Sequence, residues 1–192
     1  MMKKYKTITA FALLVLGFSQ SATARVDVDA GQQRATMCLN CHGPDGNSTT
    51  SNIPSLAGQK PAYIVNQLRA FRSGARQGGM MNNMAKGLSN EEINNLAAFF
   101  TSLKNKSVGS TEDELISEGK RLASGMCFGC HGNNAQGMGV TPRLAGQQPK
   151  YLVKQLRDFK NKTRKNPMMG SIAGGFSDDE IKALAEYMSS LK

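Results

Sequence analysis

The segment Leu56-Ala57-Gly58-Gln59 reappears as Leu144-Ala145-Gly146-Gln147, an offset of 88 residues, and this internal repeat constrains the fold more than any other feature. In the same register Tyr63, Gln67-Leu68-Arg69 and Phe71 return as Tyr151, Gln155-Leu156-Arg157 and Phe159. Met80-Met81 return as Met168-Met169, Ser89 as Ser177, and Leu103-Lys104 as Leu191-Lys192. A solenoid needs more repeats than two to stabilise itself, so two long copies read as two similar domains.

Each copy reads as helical. Pro61 suits a first helical position, and Ile64, Leu68 and Phe71 follow at four and three residues to form one apolar stripe. Ser89-x-x-Glu92 and Ser177-x-x-Glu180 are capping boxes, in which serine and glutamate satisfy orphan backbone donors at a helix start. Behind them Ile93, Leu96, Ala97, Phe100 and Leu103 line one face, matched by Ile181, Leu184, Ala185, Met188 and Leu191. No stretch alternates with the two-residue period of a strand, so both domains are expected to be all-α. Residues 105–111, polar with one glycine, read as the linker between a first domain at 25–104 and a second at 112–192.

Residues 1–24 have the layout of a secretory signal peptide: Lys3, Lys4 and Lys6, an apolar stretch from Ile8 to Phe18, and a small-x-small site at Ala22-Thr23-Ala24. Cleavage would leave Arg25 first. The apolar stretch is too short to span a bilayer comfortably. Export places the four cysteines in an oxidising compartment, where an even count ordinarily implies disulfides.

Their arrangement implies something else. Cys38-Leu39-Asn40-Cys41-His42 and Cys127-Phe128-Gly129-Cys130-His131 use every cysteine, and a histidine follows each pair at once. Two thiols three positions apart on a helical turn can add to the two vinyl groups of one haem, leaving the next histidine beneath the iron. Structural zinc would have to bridge two pairs some 85 residues apart or close a tetrahedron on adjacent Cys and His, which is awkward. A redox CxxC belongs to a βαβ pattern, which is absent. Each half has only about 80 residues, a size at which a core is marginal, and a buried haem would complete it.

The sixth iron ligand is narrowed by counting. The chain holds only two histidines, His42 and His131, so a bis-histidine site is excluded within it, and methionine is the natural soft alternative. A ligand shared by both halves must be methionine in both. Met80 and Met81 pair with Met168 and Met169, whereas Met84 pairs with Ile172. Both doublets are expected in glycine-containing loops between helices, and spacing does not choose within either. Six-coordinate iron leaves no open position for substrate, which favours electron transfer over oxygen or peroxide chemistry.

With paired CxxCHG, Pro-x-Leu-Ala-Gly-Gln, Tyr-x-x-x-Gln-Leu and a methionine segment before Leu/Phe-Ser-x-x-Glu-Ile, the chain from Arg25 to Lys192 resembles the bacterial cytochrome c4 group, two class I cytochrome c domains in tandem. The resemblance implies two covalently bound haem c groups, His42 and His131 as proximal ligands, and Met81 and Met169 as axial ligands. It also implies that the carbonyls of Pro54 and Pro142 accept the proximal histidines' second N–H. It implies a periplasmic electron carrier running from a quinol-oxidising complex toward a terminal oxidase, often cbb3-type, with peripheral membrane association. A haem subunit of a sulfide-oxidising flavocytochrome and a dihaem peroxidase are the alternatives, the second disfavoured by matching methionines in both halves.

The formal charge of +10 includes the three leader lysines and becomes +7 without them. No nucleic-acid motif or aromatic interleaving accompanies it, so an acidic protein partner or an anionic surface fits better. Lys154, Arg157, Lys160, Lys162, Arg164 and Lys165 stand beside the Met168-Met169 doublet, either as a solvated helix face or as a docking patch for an acidic partner.

Overall fold

A computed structural model describes Met2, residues 26–109 and residues 112–192. The expected signal peptide lies outside the described residues, apart from Met2. The first half contains α1 (Val28–His42), α2 (Pro61–Ser73), α3 (Met80–Lys86) and α4 (Asn90–Ser102). The second contains α5 (Asp113–Ala123), α6 (Phe128–His131), α7 (Pro149–Lys160), α8 (Pro167–Gly174) and α9 (Asp178–Ser190). No strand occurs among the described residues, only an isolated bridge between Met138 and Thr141. The all-α expectation holds.

Local chemistry explains these boundaries. Asp27 caps α1 by accepting from the Ala30 N–H at 3.0 Å. Both expected capping boxes form: Ser89 and Glu92 exchange bonds of 3.0 and 2.7 Å at the start of α4, and Ser177 and Glu180 bonds of 3.2 and 2.7 Å at the start of α9. Pro61 and Pro149 open α2 and α7, where their missing N–H costs nothing.

In each half the first and last helices cross at a glycine. A Cβ on Gly31 would lie 2.1 Å from the Asn95 carbonyl oxygen of α4, and one on Gly119 would lie 2.1 Å from the Ala183 oxygen of α9. No larger residue permits so close a crossing. The stripes expected from sequence supply the two cores: Ile93, Leu96, Ala97 and Phe100 in one, Ile181, Leu184, Ala185 and Met188 in the other, all buried. Residues 105–109 have no helical structure, yet two of them tie the segment to both halves. Lys106 donates its N–H to Asn47 in the first domain at 2.8 Å, and Ser107 donates to the Ser189 carbonyl in the second at 2.9 Å.

The halves meet through a near-symmetric polar interface. The Gln59 amide bonds both the N–H and the C=O of Arg143, at 2.7 and 3.0 Å, and the Gln147 amide bonds both groups of Ser55, at 2.8 and 2.9 Å. Arg76 donates to Gln67 at 2.6 Å in its own domain, and to Tyr151 at 3.2 Å and Gln155 at 2.6 Å across the interface. Arg164 returns the pattern, donating to Gln155 at 2.7 Å, Tyr63 at 3.0 Å and Gln67 at 2.9 Å. Each guanidinium also stacks 4.5 Å over a phenylalanine ring of its own half, Phe71 or Phe159.

Candidate haem sites

In the first CxxCH motif Cys38 and Cys41 stand three residues apart on α1 and share one helix face, whereas in the second Cys130 lies on α6 and Cys127 immediately precedes that helix. Cys38 and Cys127 are half-buried, Cys41 and Cys130 exposed, and all four are free rather than disulfide-bonded. Burial pushes the Cys38 and Cys127 thiols above their ordinary range, with Arg34 partly opposing this at Cys38. That is the reverse of the activation a redox dithiol needs. No group of three or more Cys, His, Asp or Glu side chains able to hold a metal occurs among the described residues, so the zinc reading has no site there.

Each histidine is buried and oriented. His42 Nδ1 lies 2.8 Å from the Pro54 carbonyl oxygen, and His131 Nδ1 lies 2.9 Å from that of Pro142. A carbonyl can only accept, so Nδ1 carries the proton in both rings and Nε2 keeps the lone pair. Burial holds both imidazoles below the ordinary histidine range, against the opposing pull of the proline carbonyls, so they are neutral and able to ligate. The chain reverses immediately after each ring at Gly43 (φ 89°) and Gly132 (φ 76°). A Cβ at Gly43 would also lie 2.0 Å from the Asn47 oxygen.

The methionine doublets occupy the starts of the short helices α3 and α8, not the open loops expected from sequence. Helices of one to two turns carry too little periodicity to be legible; α8 has a side-chain cap, Asn166 accepting the Met169 N–H at 3.0 Å, whereas α3 starts at Gly79 without one. Within each doublet the two side chains differ. Met80 and Met168 are 70% and 63% exposed. Met81 is half-buried against the first core, and Met169 is half-buried.

The basic run is mostly committed within the protein. Arg157 pairs with Asp178 at 2.7 Å, Lys154 with Asp158 at 2.5 Å, Lys160 donates to the Phe176 carbonyl at 2.6 Å, and Arg164 lies in the interface. From sequence, Arg164 stands out only as part of the basic run, and Arg76 and the two bridging glutamines carry no functional expectation. Their signal was available, since polar residues kept in both copies outside any helix stripe mark a shared contact.

Paired thiols, a buried neutral imidazole with a free Nε2 and, in each half, a half-buried methionine are the kinds of donor that covalent haem requires. Fold and site together define tandem class I c-type cytochrome domains carrying two covalently bound haem c groups, one at Cys38 and Cys41 and one at Cys127 and Cys130. Comparison with known proteins narrows the class. The cytochrome c family model matches residues 28–104 and again 116–192. A cytochrome c4 of Azotobacter vinelandii is 38% identical, over 93% of this chain and 96% of that protein. The crystal structure of reduced recombinant cytochrome c4 from Pseudomonas stutzeri superposes with a TM-score of 0.82 at 34% identity, covering 88% of this chain and all of that one. A thiosulfate dehydrogenase electron acceptor of Stutzerimonas stutzeri is 36% identical over 94% of this chain and 91% of that protein. The chain belongs to the cytochrome c4 family and is a dihaem electron-transfer cytochrome, a carrier rather than an enzyme.

Proposed function

We propose that the mature chain begins at Arg25, folds as domains 25–104 and 112–192 joined by 105–111, and carries single electrons in the periplasm through two His/Met haems. His42 and Met81 hold the first iron, His131 and Met169 the second. The observation that carries this reading is the buried imidazole hydrogen-bonded through Nδ1 to a proline carbonyl in both halves. Haem c supplies a one-electron couple, which methionine ligation raises in potential. The protein's share is to fix each imidazole, shield it from water and leave no ligand position open.

Within the doublets, exposure supports Met81 and Met169, because a ligand must turn inward. Met81→Ala and Met169→Ala are each expected to abolish the far-red charge-transfer absorption of one Met–Fe(III) haem and to lower its potential. Loss of that band in Met80→Ala or Met168→Ala would reject the assignment.

A quinol-oxidising complex as donor and a terminal oxidase, such as a cbb3-type enzyme, as acceptor form the first pathway reading, with peripheral membrane association. A second reading, acceptance of electrons from a thiosulfate dehydrogenase, is favoured by the 36% identity to an acceptor of that enzyme. Stopped-flow reduction by each purified donor distinguishes them: the physiological one reduces the protein with a saturable rate that falls with added salt.

A further inference from the structure

We infer that Gln59 and Gln147 are positioning residues that tune the iron ligand of the opposite domain, Gln147 acting on His42 and Gln59 on His131. The inference rests on the proposed ligation by these two histidines.

One peptide group links each pair. The C=O of Pro54 and the N–H of Ser55 belong to the same planar amide. Its oxygen accepts from His42 Nδ1 at 2.8 Å, while its nitrogen donates to Gln147 Oε1 at 2.8 Å. In the other half the Pro142 oxygen accepts from His131 Nδ1 at 2.9 Å, and the Arg143 nitrogen donates to Gln59 Oε1 at 2.7 Å. Two independent copies of one arrangement therefore cross the interface in opposite directions.

The glutamines are fixed in place. They are 5% and 6% exposed, and each Nε2 donates to the carbonyl of the same residue whose N–H its oxygen accepts. Turning either amide over would face donor to donor and acceptor to acceptor. Each Oε1 also accepts the next backbone N–H of its own domain, from Lys60 at 3.0 Å and from Gln148 at 2.9 Å.

Hydrogen bonds in a chain polarise one another. An amide whose N–H donates strongly presents a more negative oxygen. A better acceptor at Nδ1–H makes the imidazole a stronger donor at Nε2, which favours oxidised iron. Each domain thus sets part of the other's reduction potential, and separating the domains removes that part from both.

The test is haem-resolved potentiometry of the holoprotein with NMR detection. Gln147→Leu is expected to raise the reduced-to-oxidised ratio of the haem at Cys38 and Cys41 by roughly twofold at fixed solution potential. It also moves the His42 Nδ1–H resonance upfield in the reduced state. The haem at Cys127 and Cys130 and the His131 resonance stay unchanged. Gln59→Leu gives the mirror result. Equal shifts at both haems, a shift confined to the variant residue's own domain, or no shift would each overturn the inference. Where a leucine variant fails to load haem, Gln147→Glu or Gln59→Glu keeps an acceptor oxygen and moves the opposite histidine's Nδ1–H downfield while sparing the other. An unmoved opposite resonance there overturns it equally. If His42 and His131 were not iron ligands, their Nδ1–H protons would lack the haem ring-current shift in the unaltered protein, which separates that failure from this one.

Discussion

The two domains reach the same histidine geometry by different helices. In the first, α1 runs unbroken from Val28 to His42 and carries the whole CxxCH motif. In the second, α5 stops at Ala123 and α6 restarts at Phe128, with a turn at 124–127 between them. Ala35 and Ala123 share the 88-residue register, whereas Cys38 and Cys127 stand 89 apart, so one extra residue beside Gly125 accounts for the break. Both rings nevertheless end buried against a proline carbonyl, at 2.8 and 2.9 Å. What both copies keep is the glycine crossing before the motif and the proline after it. The helix between is free to vary.

Four substitution pairs can break or sharpen this comparison. The largest effect is expected at the fully buried core isoleucines: Ile93→Ala and Ile181→Ala should each cost about 2–5 kcal/mol, read as denaturant midpoints of holoprotein. Equal losses support equivalent domains. At the crossings, Gly31→Ala and Gly119→Ala should each cost about 1–3 kcal/mol, because the new methyl meets a backbone carbonyl. A loss in the first half alone would mean that the broken α5–α6 unit relaxes where α1 cannot.

A smaller and opposite effect is expected at the ends of α2 and α7. Gly74 (φ 77°) and Lys162 (φ 60°) occupy equivalent left-handed positions, and each N–H bonds the phenylalanine carbonyl three residues earlier, at 3.2 and 3.1 Å. Lys162→Gly should therefore stabilise the second domain by about 1 kcal/mol, and Gly74→Ala should destabilise the first by a similar amount. Thermal midpoints of the two variants should move in opposite directions.

The smallest effect separates the capping boxes. The Ser89 backbone N–H, then Arg34 at 2.5 Å, hold the Glu92 carboxyl below its usual value of 4.5. Glu180 is lowered by Ser177 alone among its hydrogen bonds, and the position matching Arg34 is Leu122. Both depressed groups stabilise the fold above pH 4.5, and the contribution fades as pH falls through the lower folded-state value. At neutral pH Glu92→Gln should lose slightly more than Glu180→Gln, and the difference should vanish in acid. A pH series of melting curves checks this.

Much of the architecture is legible in the sequence because it repeats. Capping boxes, apolar stripes and the CxxCH motifs carry their chemistry at fixed short spacings, so local rules find them. The α3 and α8 helices escaped because they are too short to show a period, and the break at 124–127 escaped because Ser124-Gly125 differs from the first copy by a single insertion. The interface was legible only as unexplained polar identity: Gln59 and Gln147, Tyr63 and Tyr151 recur without lying on a core stripe. Which side chains they meet depends on how the halves dock. For the basic run at 154–165 the same limit applies: Lys154 and Arg157 pair with Asp158 and Asp178, and Arg164 bonds uncharged partners across the interface, none of which spacing alone shows.

Equivalent haem domains are the central claim, and a potentiometric titration with haem quantitation, followed at the far-red methionine-to-iron band, tests it most directly. It should return two haems per chain, titrating as two one-electron steps, with the band present for both when oxidised. One haem per chain, or a second haem lacking the band, would contradict it.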